Sequence, residues 1–273
     1  MKFEKNSPLI QLPSLTIAIS TVAENLSKFI RTFKFSNLIN ADEVIIVIQG
    51  VVSKEEISKL SKNYIIIRDD KTGLSASRNI AIFRSSCDYI WFFDDDIILY
   101  KDSISALKKK IAKNKMDLYT IRMNYSDNNL PYKIYSDRLN MLRRDSLRVS
   151  SVELIASKKF LLINNITFNE NLGLGTNFPS CEENIFYLDI YDNKANIVHI
   201  DDYLISHHYV NRKKSHFSNP SILFAKGIFC KRYGGVFGFM ILIYFAFKSM
   251  SVDINIRLLI QLFKGYVHGK KYI

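Results

Sequence analysis

A run of five apolar or aromatic residues, Tyr89 to Phe93, leads directly into three aspartates, Asp94, Asp95 and Asp96. Apolar residues resume at once after the third aspartate. A continuous apolar run of this length is typical of a strand that is buried on both faces, as in a parallel sheet. In open α/β sheets, ligands bind outside the carboxyl ends of the strands. The segment therefore predicts a buried strand that delivers three carboxylates to a binding site.

Three adjacent carboxylates repel one another strongly. A divalent cation relieves this repulsion, and Mg²⁺ and Mn²⁺ prefer oxygen ligands of this kind. The alternative is a helix N-terminus at which Asp94 or Asp96 is the cap and the acids interact with the helix dipole. Because a cap uses one acid, three in a row favour the cation site.

The composition indicates a folded chain. A length of 273 residues fits one large domain or a domain with an appendage, and 48% hydrophobic residues exclude global disorder. The three cysteines are scattered without metal-ligand spacing and favour a reducing compartment. The apolar core of a signal peptide does not follow the first five residues, so we expect no secretory signal and a cytoplasmic protein.

The formal net charge of +12 is concentrated near the end of the chain. Residues 211–273 contain eleven Lys or Arg and one acid, Asp253, which gives +10 and leaves +2 for residues 1–210. A nearly neutral body with a basic, aromatic tail predicts a surface that meets anions, either lipid headgroups or nucleic acid.

The first hundred residues alternate short apolar runs with helical patterns. We predict strands at 15–20, 44–48, 64–67 and 89–93, with helices at 23–33, 54–60 and from 73 onward. Strands that alternate with short helices imply right-handed parallel crossovers. This part of the chain therefore predicts a Rossmann-like half.

The second half is less regular. We predict a helix at 104–111, a surface loop at 124–131, a helix that opens near 180, and strands at 118–121, 152–156, 197–200 and 203–206. Four arginines, Arg138, Arg143, Arg144 and Arg148, follow the loop. They suit an acidic or phosphate-bearing ligand, but a solvated helix face is the interpretation that we favour.

Three motifs resemble those of glycosyltransferase family 2, in the order in which that family carries them. Residues 73–79 match G-x-S-x-x-R-N, residues 94–96 match D-x-D, and residues 181–184 are close to a G-E-D motif that is followed about 25 residues later by histidine. The resemblance covers residues 14–210 and is greatest with bacterial enzymes of surface polysaccharide assembly. It implies a GT-A fold: a Rossmann-like, mostly parallel mixed sheet flanked by helices.

The resemblance implies a metal-dependent transfer from a nucleotide sugar, with Mn²⁺ or Mg²⁺ at the diphosphate. Asp96 is the expected first metal ligand. Asp94 is expected to contact the ribose or the metal, with Asp95 sharing one of these roles. His207 or His208 is expected to complete the site, and both alternatives remain open.

The family's base corresponds to Glu183, with Glu182 as the alternative, and an inverting single displacement is implied. Family members usually have Asp at this position, and the extra methylene of Glu moves the carboxylate by about 1.5 Å. A different interpretation is that both glutamates simply favour a helix N-terminus.

The nucleoside is expected at the ends of the first strands. The candidate nucleotide-sugar contacts are Ser20, Thr21, Gln49, Asp70 and Arg78. Relatives usually have a proline after the first strand and an acid after the second, whereas this chain has Ser20-Thr21 and Gln49. Because Gln both donates and accepts, uracil recognition remains compatible with it.

The tail combines apolar and basic residues. Its apolar run, 233–247, is shorter than the roughly 20 residues of a transmembrane helix. Apolar residues then repeat at helical spacing over 254–263, with basic residues nearby. This pattern favours helices that lie on the anionic inner leaflet, and the alternative is packing on the catalytic domain or in a homodimer.

We therefore predict a GT-A catalytic domain at 1–218 and a basic helical tail at 219–273. Within the catalytic domain, residues 14–100 form the nucleotide-binding half and 101–218 the acceptor half. The predicted function is transfer from a UDP-sugar to a saccharide or lipid-linked acceptor of a surface polysaccharide. The alternatives are a nucleotidyltransferase, which would need a phosphate loop that residues 20–24 do not supply, and a non-catalytic sugar-nucleotide-binding relative. Nucleic acid is not expected as a partner, because the tail has no recognition motif.

Overall fold

The computed structural model describes residues 11–208 and 213–273, with residues 213–215 described by their backbone alone. Over these ranges the strands are β1 (Leu15–Val22), β2 (Glu43–Gln49), β3 (Ile65–Asp69), β4 (Tyr89–Asp94), β5 (Ile98–Leu99), β6 (Leu118–Tyr125), β7 (Leu154–Ser157) and β8 (Ile197–His207). The helices are α1 (Ala23–Thr32), α2 (Lys54–Ser58), α3 (Leu74–Arg84), α4 (Ser103–Lys113), α5 (Lys158–Ile163), α6 (Glu182–Asp192), α7 (Lys213–Ser218), α8 (Pro220–Tyr233), α9 (Gly235–Val252) and α10 (Ile256–His268).

The strands form one mixed sheet in the order β3-β2-β1-β4-β7-β6-β8-β5. β1 pairs in parallel with both β2 and β4, and β3 adds in parallel to β2. β7 is antiparallel to both β4 and β6, and β6 is parallel to β8. The predicted fold class, a mostly parallel mixed sheet with flanking helices and a C-terminal helical appendage, is confirmed.

Helices cover both faces of the central strands, which explains their continuous apolar sequences. On β4, Trp91 and Phe93 enter a core cluster with residues of α1 and α4. Ile90 and Phe92 enter a second cluster with residues of α3 and α6. Because successive side chains of a strand point to opposite faces, a strand covered on both sides needs apolar residues at every position.

Two elements of the second half differ from the sequence prediction. The predicted strand 152–156 begins as a 3₁₀-helix, Ser151–Glu153, and only then becomes β7. The Glu153 carboxylate accepts a hydrogen bond from the Ser150 N–H and closes this turn. The two predicted strands 197–200 and 203–206 are one strand, β8, whose register with β6 shifts near Arg122.

The C-terminal helices form a closely packed unit on the sheet domain. A Cβ atom on Gly227 would lie 2.2 Å from the Leu262 carbonyl oxygen, so the backbones of α8 and α10 are in contact. A third core cluster joins Ile185 of α6 to residues of α8, α9 and α10. Arg232 of α8 adds ion pairs to α6 through Asp189 and Asp192. The tail therefore packs on the sheet domain, one of the two arrangements that its sequence allowed.

One face of the tail stays exposed. The exposed fractions of Phe237, Met240, Tyr244 and Phe247 on α9 are 69%, 59%, 55% and 68%. Their spacings of three and four residues place them along one side of the helix. Among the described residues, α9 is the one helix that is long and apolar enough to cross a membrane, judged by length and composition alone. Within the protein, 28% of this helix is buried.

Candidate active site

The predicted site residues of the first strands meet at one edge of the sheet. Ser20 of β1 is the register partner of Asp94 on β4, and Gln49 of β2 is the partner of Asp69 on β3. Since these four strands are parallel, their carboxyl ends lie side by side. The predicted nucleotide-binding residues and the three aspartates therefore lie along the same edge of the sheet.

Arg78 joins the acidic strand end to the start of α6. It is 1% exposed, and its Nη2 atom lies 3.0 Å from Asp94 Oδ1. Its Nη1 atom lies 3.2 Å from Glu182 Oε1, and its Nη2 atom also donates to Ser151 Oγ at 2.6 Å. A buried charge needs such partners, because an unpaired one costs several kcal/mol, roughly 3–5 in proteins. The guanidinium that the sequence assigned to phosphate or base contact is engaged with two carboxylates here.

Gln49 fixes the loop that starts α3. Its Nε2 atom donates to the Gly73 carbonyl at 2.9 Å, and its Oε1 atom accepts from the Gly73 N–H at 3.2 Å. Gly73 has a φ of 140°, which only glycine adopts without strain. The nearby Gly175 is so close that a Cβ atom there would lie 3.0 Å from the Gly73 nitrogen. The oxygen and the nitrogen of the Gln49 side-chain amide therefore both fix the Gly73 backbone. Gly73 immediately precedes α3, the helix that carries Arg78.

The other two aspartates have separate partners. Thr21 Oγ1 donates to Asp95 Oδ2 at 2.6 Å, and Asp96 Oδ2 lies 3.1 Å from His207 Nε2. His207 is buried, whereas the His208 side chain is 65% exposed and lies 3.3 Å from Asp127 Oδ1. The structure therefore pairs His207 directly with Asp96, whereas His208 pairs with a surface acid and lines a cavity together with Asp95 and Asp96.

The pairing of Asp96 with His207 fits a divalent cation that is shared with a substrate. Mg²⁺ and related ions often bind through one or two protein carboxylates and complete their shell with phosphates and water. An imidazole nitrogen is a further ligand, which transition ions accept more readily than Mg²⁺ does. Within the described residues no group of three or more His, Cys, Asp or Glu side chains forms a metal cage. The residues present thus suit a cation whose remaining ligands come from a diphosphate.

Glu182 and Glu183 begin α6 directly after Cys181, which has a left-handed φ of 71°. A cavity of about 380 Å³ is lined by both glutamates together with Arg78, Asp94 and His207. Burial raises the pKa of Glu183 well above its ordinary value, and the charge of Glu182 raises it further. Burial also raises the pKa of Asp94 against the opposing effect of Arg78.

These carboxylates, their arginine and the adjacent histidine lie close together at one edge of the sheet. The model of the family described as glycosyl transferase family 2 matches residues 16–178, which is more than half of the chain. The chain belongs to glycosyl transferase family 2. It is therefore a glycosyltransferase. The matched range contains the Gly73 loop and the three aspartates and ends before the two glutamates.

The fold of this family 2 enzyme is similar to that of S. aureus TarS. With TarS 1-349 in complex with UDP-GlcNAc, the TM-score is 0.68 at 16% identity over 95% of this chain and 81% of that one. With TarS 1-349, the TM-score is 0.67 at 16% identity over 94% and 80% of the two chains. The match to the longer structure of S. aureus TarS has a TM-score of 0.67 and 16% identity. It covers 95% of the present chain and 49% of the TarS chain. No curated protein sequence matches it.

The cavity of the family 2 enzyme is also lined by residues that the sequence did not single out. Ser151 accepts a hydrogen bond from Arg78 inside the cavity, and His216 and Phe217 of α7 line the same cavity. The Trp91 indole donates to the Val152 carbonyl at 2.8 Å and anchors the segment that carries Ser151. Ser151 lies in an irregular turn, where the sequence shows no motif that indicates a site residue. Its position in the cavity therefore becomes visible only in the folded structure.

Two further predicted residues lie at the same edge with different surroundings. Ser20 is buried, and its Oγ atom accepts from Ser77 Oγ at 2.8 Å. Asp70 is exposed one residue after β3. Ser20 therefore helps to hold α3 against β1, whereas Asp70 stays available to a ligand at the sheet edge.

The four arginines of residues 138–148 do not share one solvated helix face. Arg143 lies in a short 3₁₀-helix, Arg143–Leu147, and its Nε atom is 2.8 Å from Asp192 Oδ1. It also donates to the Tyr233 carbonyl at 2.9 Å and so connects this segment to the tail. Arg138 pairs with Asp145 at 3.2 Å. Arg138 and Arg143 are thus engaged in ion pairs, and the spacing of the four arginines in the sequence did not indicate these partners.

Proposed function

We propose that this enzyme transfers a sugar from a UDP-sugar to a saccharide or lipid-linked saccharide acceptor of a bacterial surface polysaccharide. The observation that carries the proposal is the Asp94–Arg78–Glu182 bridge. It joins the acidic strand end to the helix start that carries Glu183 across one cavity. The complex of TarS with UDP-GlcNAc supports a uridine nucleotide as donor.

In this proposal Asp96 and His207 hold Mn²⁺ or Mg²⁺, and His208 does not. The bound cation neutralises charge on the departing diphosphate. Asp95, fixed by Thr21, is then the carboxylate placed for the donor ribose. Asp94 remains paired with Arg78, so its role is to set the position of the acidic strand end.

Glu183 accepts the proton of the acceptor hydroxyl in a single inverting displacement. A base is most effective when its pKa lies near the working pH, and burial moves the pKa of Glu183 in that direction. Glu182 is engaged with Arg78 and holds the first turn of α6. We therefore assign the base to Glu183 and a structural role to Glu182, because Glu182 is the glutamate that pairs with Arg78.

The nucleoside lies at the carboxyl ends of β1, β2 and β3 in this proposal. Asp70 is exposed there for base or ribose contact, while Ser20 and Thr21 line the end of β1. Gln49 contributes through the Gly73 loop, which its amide holds on both sides. Residues 14–100 then serve the donor and residues 101–218 the acceptor.

A donor screen by thermal shift tests the proposal. We expect UDP and UDP-sugars with Mn²⁺ to raise the melting temperature of the wild-type protein more than ADP, GDP or CDP with Mn²⁺. The UDP-sugars should release UDP slowly by hydrolysis when no acceptor is present, with water in the place of the acceptor hydroxyl. Equal stabilisation by all four nucleotides would contradict the uridine assignment.

We further propose that the tail, 219–273, binds the anionic inner face of the cytoplasmic membrane. The exposed α9 side chains Phe237 and Phe247 supply apolar area, and exposed basic residues lie close by in sequence. Aromatic faces flanked by lysine and arginine suit an interface that contains anionic lipid. The exposed basic residues of this region are Lys248, Arg257, Lys264, Lys270 and Lys271.

Flotation of the full-length protein with phosphatidylglycerol vesicles tests this surface. We expect Phe237→Ser/Phe247→Ser to lower vesicle recovery at least tenfold, since each buried aromatic contributes about 1.5–3 kcal/mol. Phe83→Ser is the matched control, because Phe83 on α3 is 61% exposed and lies outside the tail. Unchanged recovery of the double variant, or loss of a dimer in its place, would contradict membrane docking.

A further inference from the structure

A second cavity, of about 530 Å³, lies outside the candidate active site. Thr120 of β6 and His199 of β8 contribute to its lining, and the other lining residues come mainly from the segment 133–153. Its charged lining has four cations and two acids. These residues are Lys133, Arg138, Arg144, Arg148, Asp145 and Glu153.

The two acids of this cavity are already paired. The Lys133 ammonium contacts the Glu153 carboxylate, and Arg138 pairs with Asp145 at 3.2 Å. Throughout the described part of the chain, the Arg144 and Arg148 guanidiniums have no ion pair or hydrogen bond, and the Lys133 ammonium contacts the Arg148 carbonyl oxygen rather than its side chain. Two uncompensated guanidiniums therefore line one concave surface. Such groups attract anions and match the oxygens of a phosphate in a fork geometry.

The rest of the lining suits a sugar more than a bare ion. The His199 Nδ1 atom lies 2.8 Å from Thr120 Oγ1, and the imidazole stacks on the Tyr135 ring with centroids 6.0 Å apart. Burial lowers the pKa of His199, which favours the neutral imidazole as a polar group in the lining. Ile134 at the rim is 84% exposed and provides apolar contact. A cavity of this volume is many times larger than the roughly 30 Å³ that one water molecule occupies.

The second cavity adjoins the first through a short stretch of chain. Arg148 and Val149 line the basic cavity, and Ser150 and Ser151 line the cavity that contains Glu183. Ser151 also accepts the hydrogen bond from Arg78. The linings of the two cavities therefore meet within four consecutive residues.

We propose that the basic cavity binds a phosphate-bearing saccharide segment of the acceptor, with Arg144 and Arg148 paired to the phosphate oxygens. The inference rests on the proposed function, because the adjoining part of the acceptor must present its hydroxyl to Glu183. A phosphate monoester carries close to two negative charges at neutral pH, which matches the two free guanidiniums.

Calorimetric titration with glucose 1-phosphate tests the proposal. The full-length protein is first saturated with UDP and Mn²⁺, so that the donor site is occupied. We expect saturable binding to the wild type and at least tenfold weaker binding to Arg144→Gln/Arg148→Gln. The matched control is Arg31→Gln/Arg84→Gln, which removes two exposed arginines outside the cavity and should bind as the wild type does. Circular dichroism melts establish that all three proteins are folded.

Other outcomes separate the possible explanations. Equal affinity of the two double variants, or binding of glucose as tight as that of glucose 1-phosphate, would overturn the proposal. So would loss of phosphatidylglycerol vesicle binding in Arg144→Gln/Arg148→Gln with unchanged affinity for glucose 1-phosphate, since lipid phosphate would then be the ligand. If UDP itself does not bind, the assignment of a UDP-sugar as donor fails. Titration of glucose 1-phosphate without UDP then still tests the basic cavity, because it compares the same two double variants.

Discussion

Replacement of Glu183 by Gln is expected to lower kcat for sugar transfer by about 10²–10⁴-fold, the range typical of general acid–base groups. Gln has nearly the same shape but cannot accept the proton of the acceptor hydroxyl. Donor binding should persist, because the Asp96–His207 pair and the Arg78 bridge are untouched. Steady-state kinetics for transfer and thermal shifts with UDP and Mn²⁺ measure the two effects separately.

The pH profile identifies the base. Burial raises the pKa of Glu183, so its carboxyl stays protonated to a higher pH than an ordinary glutamate. A base works only after it has lost its proton, and we therefore expect wild-type kcat to rise with pH through this elevated pKa. Glu183→Gln should lack that rise, and Glu182→Gln should keep it. The opposite pattern would assign the base to Glu182.

Removal of Asp96 should have an effect of comparable size with a different signature. We expect Asp96→Ala to lower kcat/KM by about 10³-fold, because a bound cation contributes several kcal/mol to the transition state and 1.36 kcal/mol is tenfold in rate. The stabilisation of the protein by UDP with Mn²⁺ over UDP alone should disappear. Thermal shift with and without the cation measures this directly.

The two histidines provide a matched comparison for the metal site. His207→Ala should reproduce the loss of metal-dependent stabilisation, since His207 Nε2 lies 3.1 Å from Asp96. His208→Ala should keep it, because His208 faces Asp127 at the surface. If both variants, or His208→Ala alone, lost the metal response, the assignment of His207 would be wrong.

The sequence predicted the first half of the fold closely, since its signals are local. Apolar runs marked β1, β2 and β4 because strands covered on both faces need apolar residues throughout. The second half was harder, since ion pairs overrode the local pattern. Asp201 and Asp202 resemble a turn between two strands, yet they pair with Arg122 and Lys110 and lie within the single strand β8.

The site shows the same division. Motifs that resemble those of glycosyltransferase family 2, in the order in which that family carries them, identified Asp96, Arg78 and Glu183 as candidates. Their partners depended on the fold: Arg78 contacts Glu182, 104 positions away, and Gln49 holds Gly73, 24 positions away. Adjacent in sequence, His207 and His208 differ in environment because successive side chains at the end of a strand point in opposite directions.

The sequence alone thus determined a parallel α/β core with an acidic strand end, through apolar periodicity and three consecutive carboxylates. Tertiary structure decided which histidine faces Asp96, which glutamate is paired with Arg78, and that the tail packs on α6 while one side of α9 stays exposed. These outcomes rest on contacts between residues far apart in the chain. Such contacts depend on how the elements pack against one another, and no local pattern encodes them.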